Sequence, residues 1–466
     1  MNLIKDISEY SGYRPSGGDL LKLFQLAIVE NINRQDAVKF FSSSSYFRKI
    51  YKQLKDRLLD GILLNSFEEL TKVQQSQFTI RKRALESIML LYTEKKEAGI
   101  KIIEETFFSA IKYGMSDVAL SMGKELVIHY SVISPNKQKR DRFITATEFL
   151  FKKAKEEWRA QSLFADLAFC IQQKNSINNI ESAFNELHEI AEENKEYKFR
   201  LYYYSFLNLY NRFTNNQDAI IQTCKEAISF FKSSKTLLPY TTSWNFKFQM
   251  IPVYLHKKQY ADTSAIIQDC LRLPTKGSYN WHLTLLYKVV LGFYSEKPAI
   301  ALQAWKTIQK TPRKFHSEVI ENRWSIIYGY LALFQRTGNL HFPNSWKTRK
   351  NLNDTRTPVT GKVNLIILEL LHLLLDGKKK AYMNRVENIE GYIRDNLRNK
   401  PRPKYFLRML RAVELGDYNA IRVQAHAKKH YDLLKRTTNT ININVLDTEP
   451  VPFEMLWEMV LERLYK

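Results

Sequence analysis

The sequence predicts an all-α protein, an α-solenoid in which antiparallel helix pairs stack into a right-handed superhelix. Glycine and proline are sparse, at 15 and 13 residues in a chain of 466, whereas a β-rich chain needs many tight turns. Long stretches rich in Leu, Ala, Glu, Lys and Gln favour helix. The middle of the chain also repeats one pattern, in which an aromatic-rich helix, a short polar turn and a second helix follow one another.

Three such helix pairs lie between residues 199 and 310. Their first helices read FRLYYYSFLNLYNRF, WNFKFQMIPVYLHKK and WHLTLLYKVVLGFYS, and their second helices carry Ala and Ile near the start. Aligning the second helices on Gln222, Gln268 and Gln303 gives spacings of 46 and 35 residues, which are typical of helix–turn–helix repeats. One pair cannot bury its apolar face alone, so we expect each pair to stack on its neighbours.

Similar pairs flank this centre. Residues 106–130 contain a turn centred on Gly114, and residues 404–434 contain the turn ELGDYNAI. In that turn Gly416 suits a helix end, Asp417 can cap the next helix, and Ala420 allows the two helices to approach closely. Small residues at the helix crossing, with aromatic residues between the helices, resemble tetratricopeptide repeats. The chain therefore resembles TPR proteins, and we describe it as TPR-like.

Four segments near the two ends of the chain carry a second resemblance. They read YFRKIYKQLKDRLLDGILL (46–64), VNLIILELLHLLLDGKKKAYMNRVENIEGYI (363–393), AKKHYDLLK (427–435) and VPFEMLWEMVLERL (451–464). They are similar to the opening helices and the C-terminal third of an uncharacterised bacterial family of helical-repeat proteins. The resemblance implies a shared architecture and brings no established activity with it.

We predict four regions along the chain. They are an N-terminal helical region (1–100), TPR-like repeats (101–335), a basic loop or hinge (336–362) and C-terminal helical repeats (363–466). The loop has two prolines and two glycines among polar and basic residues. Residues 437–453 are β-branched and contain proline, which predicts an extended segment before a last, capping helix.

Composition and charge indicate the compartment and the partners. The formal net charge is +23, and residues 341–440 alone carry 21 Lys/Arg against 9 Asp/Glu. This surplus favours an acidic partner, such as nucleic acid, an acidic protein or an anionic membrane surface, although a solvated basic face explains it equally well. Three cysteines do not make a disulfide framework, which suits a reducing cytoplasm. The longest apolar run, residues 363–375, is too short to span a bilayer.

Two near-identical hexapeptides, AIIQTC (219–224) and AIIQDC (265–270), raise the question of a paired-thiol site. A bound metal needs three or four converging donors, and each of these cysteines is alone on its helix. The aligned position in the third pair is Trp305, which packs and does not ligate. We therefore expect Cys224 and Cys270 to be buried on second helices, unbonded and unligated.

Two other pairs of residues have the spacing of metal ligands. His426 and His430 share a helix face, but lysines separate them and no further ligand is evident. Glu369 and His372 form one ExxH pair, whereas a di-iron bundle needs two such pairs and two more carboxylates. No phosphate-binding, hydrolase or zinc-protease motif occurs. We predict no catalytic residue, no metal and no cofactor.

The predicted function is that of a non-catalytic scaffold that presents a groove to a protein or peptide partner. First helices are expected to line this groove, and the predicted contacts are Tyr202, Tyr203, Asn208, Lys247, Gln249 and Tyr287.

The alternative function is binding of RNA or DNA by the basic C-terminal surface. Cations neutralise phosphates, and Tyr405 and Phe406 are interleaved with them and could stack on unpaired bases. No signature of a nucleic-acid-binding fold accompanies these residues. The residues predicted to bind the anion are Lys378, Lys379, Lys380, Arg398, Lys400, Arg402, Lys404, Lys428 and Lys429.

Overall fold

The structure is a computed structural model of the chain. It describes residues 4, 8, 11, 13–30, 32–64, 72–173, 180–194, 196–233, 240–312, 317–334, 359–398, 400–437 and 445–465. Throughout these residues the regular structure is helical, and no strand occurs among them. The all-α class predicted from the sequence is confirmed. The predicted loop at 336–362 lies outside the described residues, apart from 359–362, where a helix begins.

The helices follow one another closely along the chain. The first seven are α1 (Gly18–Ile28), α2 (Arg34–Val38), α3 (Ser44–Leu64), α4 (Lys72–Leu91), α5 (Lys96–Lys112), α6 (Ser116–Ile128) and α7 (Lys137–Gln173), with a π-helical turn at His129–Ile133. Those that follow are α8 (Ile180–Glu193), α9 (Tyr197–Phe213), α10 (Gln217–Ser233), α11 (Tyr240–His256), α12 (Tyr260–Arg272), α13 (Tyr279–Tyr294), α14 (Pro298–Lys310), α15 (Glu318–Phe334), α16 (Val359–Leu375), α17 (Lys379–Val386), α18 (Ile389–Asn396), α19 (Pro401–Leu415), α20 (Ala420–Arg436), α21 (Val445–Thr448) and α22 (Phe453–Tyr465).

The chain forms two compact units, unit 1 (Met1–Glu156) and unit 2 (Glu157–Lys466). In unit 1, α1 packs on α3, and α4, α5 and α6 pack on one another in order. The core between α5, α6 and the start of α7 is aromatic. The ring of Phe107 meets that of Phe143 edge to face at a centroid distance of 5.4 Å, and Tyr130 stacks on Phe143. Burial of these large rings supplies much of the unit's hydrophobic stabilisation.

Unit 2 is built from helix pairs in which each helix packs on the next. The pairs are α9 with α10, α11 with α12, α13 with α14 and α19 with α20. The first helices α11, α13 and α19 are also connected through α15 and α16, since α11 contacts α13, α13 contacts α15, α15 contacts α16, and α16 contacts α19. We call α11, α13, α15, α16 and α19 the first-helix layer. A large core cluster extends from α11 through this layer to α22.

One turn recurs at six helix ends of the described chain. In each turn a residue with a left-handed backbone, φ between 52° and 69°, donates its N–H to the carbonyl three residues earlier. The next residue donates to the carbonyl five residues earlier, which completes a Schellman motif and satisfies carbonyls that the helix leaves open. The left-handed residues are Gly114, Asn215, Lys258, Glu296, Gly377 and Asp417.

The spacing of these turns along the sequence gives the length of the repeat. Asn215, Lys258 and Glu296 are 43 and 38 residues apart, and Gly377 and Asp417 are 40 apart. The interval of 81 residues between Glu296 and Gly377 holds two such lengths. The sequence spacings of 46 and 35 residues are therefore unequal because the glutamine of the middle pair lies three positions later relative to its turn. The recurrence confirms a helical repeat, and its length exceeds the 34 residues of a tetratricopeptide unit.

Two local predictions are wrong. Asp417 does not cap α20, because it is the left-handed residue of its turn, and the cap is the side chain of Asn419, which accepts the N–H of Arg422. Within the predicted extended segment 437–453, residues Val445–Thr448 form the short helix α21. The expected C-terminal helix is present as α22.

Candidate binding surfaces

The two hexapeptide cysteines are core residues, as predicted. Cys224 on α10 and Cys270 on α12 are both fully buried and both free thiols. Burial raises the pKa of each thiol to about 12, so neither is a thiolate at neutral pH. Counted from its turn, Cys224 corresponds to Ile267 of the next pair, and both are buried. Cys224 and Cys270 therefore both lie on the buried, apolar face of a second helix, and this face recurs from one pair to the next.

The other ligand-like pairs do not converge on a metal. Glu369 accepts a hydrogen bond from Arg385 at 2.9 Å, which makes it an ion-pair partner. His426 is exposed, whereas His430 is half-buried and stacks on Tyr405 with ring centroids 6.3 Å apart. Among the residues that the structure describes, no group of three His, Cys, Asp or Glu side chains is placed to hold a metal ion.

The structure corrects part of the predicted groove. Asn208 is buried and donates its amide to the sulfur of Cys224 at 2.8 Å. Tyr287 is also buried, with 3% of its surface exposed, and burial raises its pKa well above the ordinary value. Neither side chain is accessible to a partner, so the prediction is wrong for both.

The other four predicted groove residues remain at least partly exposed. Tyr202 packs near Phe164 of α7. The hydroxyl of Tyr203 is within 3.1 Å of an imidazole nitrogen of α8. Lys247 pairs with Asp269 of α12 at 2.7 Å, and Gln249 lies on the same helix as Lys247. Tyr202 and Tyr203 thus lie on α9, and Lys247 and Gln249 lie on α11.

The first-helix layer binds a short segment of the same chain. Residues 445–449 lie against it, with α21 packing on α13 and α16. Two side chains of the layer bind main-chain carbonyls of the segment. The hydroxyl of Tyr294 (α13) donates to the carbonyl of Glu449 at 2.8 Å, and the amide of Asn364 (α16) donates to the carbonyl of Asp447 at 2.8 Å.

Two arginines of the layer bind the acidic side chains of the same segment. Arg323 (α15) forms two hydrogen bonds of 2.7 Å to the carboxylate of Asp447. Arg402 (α19) forms two hydrogen bonds, of 2.8 and 2.6 Å, to the carboxylate of Glu449. Such bidentate pairs fix both the geometry and the charge of what is bound. The layer thus recognises an acidic segment by both its backbone and its side chains.

Arg402 is consequently not a surface cation, and its predicted role in anion binding is wrong. Only 9% of its surface is exposed, and it also pairs with Glu454 at 2.8 Å and donates to the carbonyl of Leu434. Burial alone would lower the pKa of Arg402, but hydrogen bonds and the negative charge of Glu449, with those of Glu454, raise it above its ordinary value. The guanidinium of Arg402 thus donates its hydrogen bonds to groups inside the protein.

The remaining predicted cations stay at or near the surface. Lys379 lies 4.7 Å from the ring centre of Tyr418, and Lys378 pairs with Asp376 at 3.2 Å. These contacts place the turn before α17 beside the turn before α20. The exposed members of the set are Lys378, Lys379, Lys380, Arg398, Lys428 and Lys429, and the partly exposed ones are Lys400 and Lys404.

Positive charge concentrates where α19 meets α20. Burial, followed by the charges of Arg408, Lys429 and Lys404, lowers the pKa of His430. Arg408 and Arg411 share one carboxylate, that of Glu390, and no other carboxylate of the described chain pairs with them within 4 Å. At this surface two arginines therefore share the negative charge of one carboxylate.

Sequence reasoning missed the acidic segment and its two arginines. Asp447 and Glu449 lie in a stretch predicted to be a plain extended connector, and Arg323 lies in an ordinary helix. The only sequence signal is the pair of carboxylates spaced two residues apart in LDTE, inside a strongly basic chain.

No protein-family model matches the chain, and neither a curated protein nor a solved structure matches it. No helix in the described part of the chain is both long enough and apolar enough to cross a bilayer.

Proposed function

We propose that the protein is a non-catalytic, TPR-like scaffold that binds a protein or peptide partner on its first helices. The observation that carries the proposal is the binding of segment 445–449 by the first-helix layer. Four side chains from four different helices converge on five consecutive residues, through two backbone carbonyls and two carboxylates. This is the combination by which a helical-repeat groove would hold a peptide of another chain.

The proposal includes a right-handed solenoid of antiparallel helix pairs, acting in the reducing cytoplasm of a bacterium. The recurring Schellman turns support the repeat, because each one returns the chain after a first helix to a second helix. The free, buried thiols of Cys224 and Cys270 support a reducing compartment.

Site-specific photocrosslinking in cells tests the proposed partner. A photoreactive amino acid at Gln249 samples a first helix, and the same residue at Gln303 samples an exposed position on the second helix α14. We expect Gln249 to capture one protein partner reproducibly and Gln303 to capture none. Equal capture at both positions, or no capture at either, would contradict the proposal.

A second candidate function is binding of RNA or DNA by the surface of α19 and α20. It is favoured by Lys404, Lys428 and Lys429, which form no ion pair with a carboxylate of the described chain, and by the stacking of Tyr405 on His430. Arg402 has no part in it, because it is buried.

A salt titration of binding to a generic RNA and a generic DNA tests this second function. Replacing both Lys428 and Lys429 by Glu should weaken binding and reduce the slope of log affinity against log salt, by about one for each phosphate that is no longer neutralised. The matched control replaces Lys55 and Lys82, two lysines of unit 1, and should leave the slope unchanged. Absence of binding near physiological salt would exclude this function.

A further inference from the structure

A third arginine, Arg212, lies within electrostatic range of Tyr287, which is also within range of Arg323. Arg212 is near the end of α9, the first helix that precedes the first-helix layer. It is partly exposed, but its Nε atom is shielded from solvent and has no hydrogen-bond partner. In the part of the chain that the structure describes, no carboxylate lies within 4 Å of its guanidinium.

Arg212 and the acidic segment both lie near one residue, Tyr287. Tyr287 of α13 is within electrostatic range of Arg323, Asp447 and Arg212. The guanidinium of Arg323 is neutralised there by Asp447, whereas no carboxylate of the described chain interacts with Arg212. The titratable groups that act on Arg212 are Cys224 and Tyr287. Both are neutral at pH 7, and burial raises the pKa of each still further, so neither supplies a negative charge.

A partly buried guanidinium without a counter-charge is energetically unfavourable. Removing a cation from water is compensated only by a nearby anion or by several good acceptors. Burial accordingly lowers the pKa of Arg212, whereas the pKa values of Arg323 and Arg402 are raised by the carboxylates they bind, despite burial. Arg323 and Arg402 each have a carboxylate of the acidic segment as a counter-charge, whereas Arg212 has none.

We propose that this face of unit 2 binds an acidic peptide segment of a partner protein, and that Arg212 binds one of its carboxylates. The internal segment 445–449 shows the chemistry of the ligand, with two carboxylates spaced two residues apart and both bound by arginines. Segment 445–449 packs on α13 and α16, and the partner segment binds nearer to α9. This inference rests on the proposed function, since it names the class of peptide that the scaffold takes.

Fluorescence anisotropy with a defined probe tests the proposal on the full chain. The probe is a labelled peptide with the sequence NVLDTEPVPF, and its neutral counterpart reads NVLNTQPVPF. We expect the acidic peptide to bind at least tenfold more tightly than the neutral one, as for a charge-assisted hydrogen-bond pair. Arg212→Gln should remove most of that difference, and Arg212→Lys should restore part of it. Equal affinity for the two peptides, or unchanged affinity in Arg212→Gln, would overturn the inference.

Two further measurements separate this role from the alternatives. Arg422→Gln, at an exposed arginine of α20, is the matched control and should bind the acidic peptide like the wild type. The Arg212→Gln protein should melt no lower than the wild type, because its arginine has no internal carboxylate to lose. A drop in melting temperature would indicate a structural role instead.

The probe also distinguishes an acidic peptide from other polyanions. A ten-nucleotide oligothymidine should not compete with the peptide at equal concentration, and efficient competition that depends on Arg212 would assign the site to nucleic acid and overturn the inference. If Gln249 captures a protein partner but the acidic peptide does not bind, the proposed scaffold stands and the acidic-ligand inference fails.

Discussion

Replacing Arg402 by Met removes the charge that holds two carboxylates inside unit 2. The guanidinium pairs with Glu449 at 2.6 Å and with Glu454 at 2.8 Å, and the exposed side-chain fractions are 10% for Arg402, 7% for Glu449 and 30% for Glu454. Methionine preserves most of the aliphatic stem, so packing changes little while the charge is lost. The substitution therefore isolates the electrostatic role of this residue.

The expected loss is about 3–5 kcal/mol in the free energy of unfolding at pH 7.5, as for a buried pair that loses one partner. Most of it arises from Glu449, because Glu454 is exposed enough to be hydrated after the substitution. The N–H of Phe453, which donates to Glu449 at 3.0 Å, remains but does not replace a full charge. Glu449→Gln in the Arg402→Met background should recover part of the loss, because no unpaired buried charge is then left.

The pH dependence has a definite sign. Burial raises the pKa of Glu449, and Arg402 opposes this shift, so removing Arg402 raises that pKa further. A carboxyl whose folded-state pKa lies above its unfolded value stabilises the fold below the unfolded pKa and loses that contribution as the pH rises through the folded pKa. The difference in stability between Arg402→Met and the wild type should therefore shrink as the pH falls from 7.5 towards 4.5.

Hydrogen exchange measured by mass spectrometry over residues 401–465 reports this local stability without assuming that the whole chain unfolds in one step. Arg394→Met, at an exposed arginine of α18, is the matched control and should change exchange very little. A loss below about 1 kcal/mol for Arg402→Met, or a loss that is the same at pH 7.5 and pH 4.5, would refute the reasoning about an unpaired buried carboxylate.

Two further predictions test the thiols and the recurring turn. A maleimide at pH 8 should label Cys170 in the native protein and all three cysteines after denaturation, as counted by mass spectrometry; rapid native labelling of Cys224 or Cys270 would contradict their burial and their pKa of about 12. Gly377→Ala should lower the free energy of unfolding by about 1 kcal/mol, measured by thermal or denaturant unfolding, because φ is 69° at this residue. Gly391→Ala, inside α18 with open space around it, should instead stabilise the protein by about 0.5–1 kcal/mol. Equal effects of the two substitutions would refute the role of the left-handed turn.

The helix pairs could be predicted because their determinants are local. The predicted first helices FRLYYYSFLNLYNRF (199–213) and WHLTLLYKVVLGFYS (281–295) agree with α9 and α13 to within a few residues at each end. The apolar face, the polar turn and the second helix all lie within about 40 residues, so the periodicity of the sequence is enough to predict the pair. Burial of Cys224 and Cys270 follows from the same periodicity.

Whether a given polar residue is buried or exposed could not be predicted from this local periodicity. Arg402 belongs to a basic run that is typical of a surface, and what buries it are Glu449 and Glu454, 47 and 52 residues later. A position on a first helix predicts that Asn208 and Tyr287 line a groove, but the phase of the helix turns both inward. Helical spacing tells which residues share a face, and only the packing of distant segments tells which face is covered.

The acidic segment changes the energetics of a repeat array as well as its surface. In an array with only neighbour contacts, each pair is stabilised by the next, and the ends can open independently. Segment 445–449 instead joins α13, α15, α16 and α19 through hydrogen bonds that span 155, 124, 83 and 47 residues of sequence. Opening any one of these helices breaks a bond to the same five residues. The segment therefore couples the C-terminal part of unit 2 into one cooperative block, and it does so with the chemistry that the same face would use for a partner.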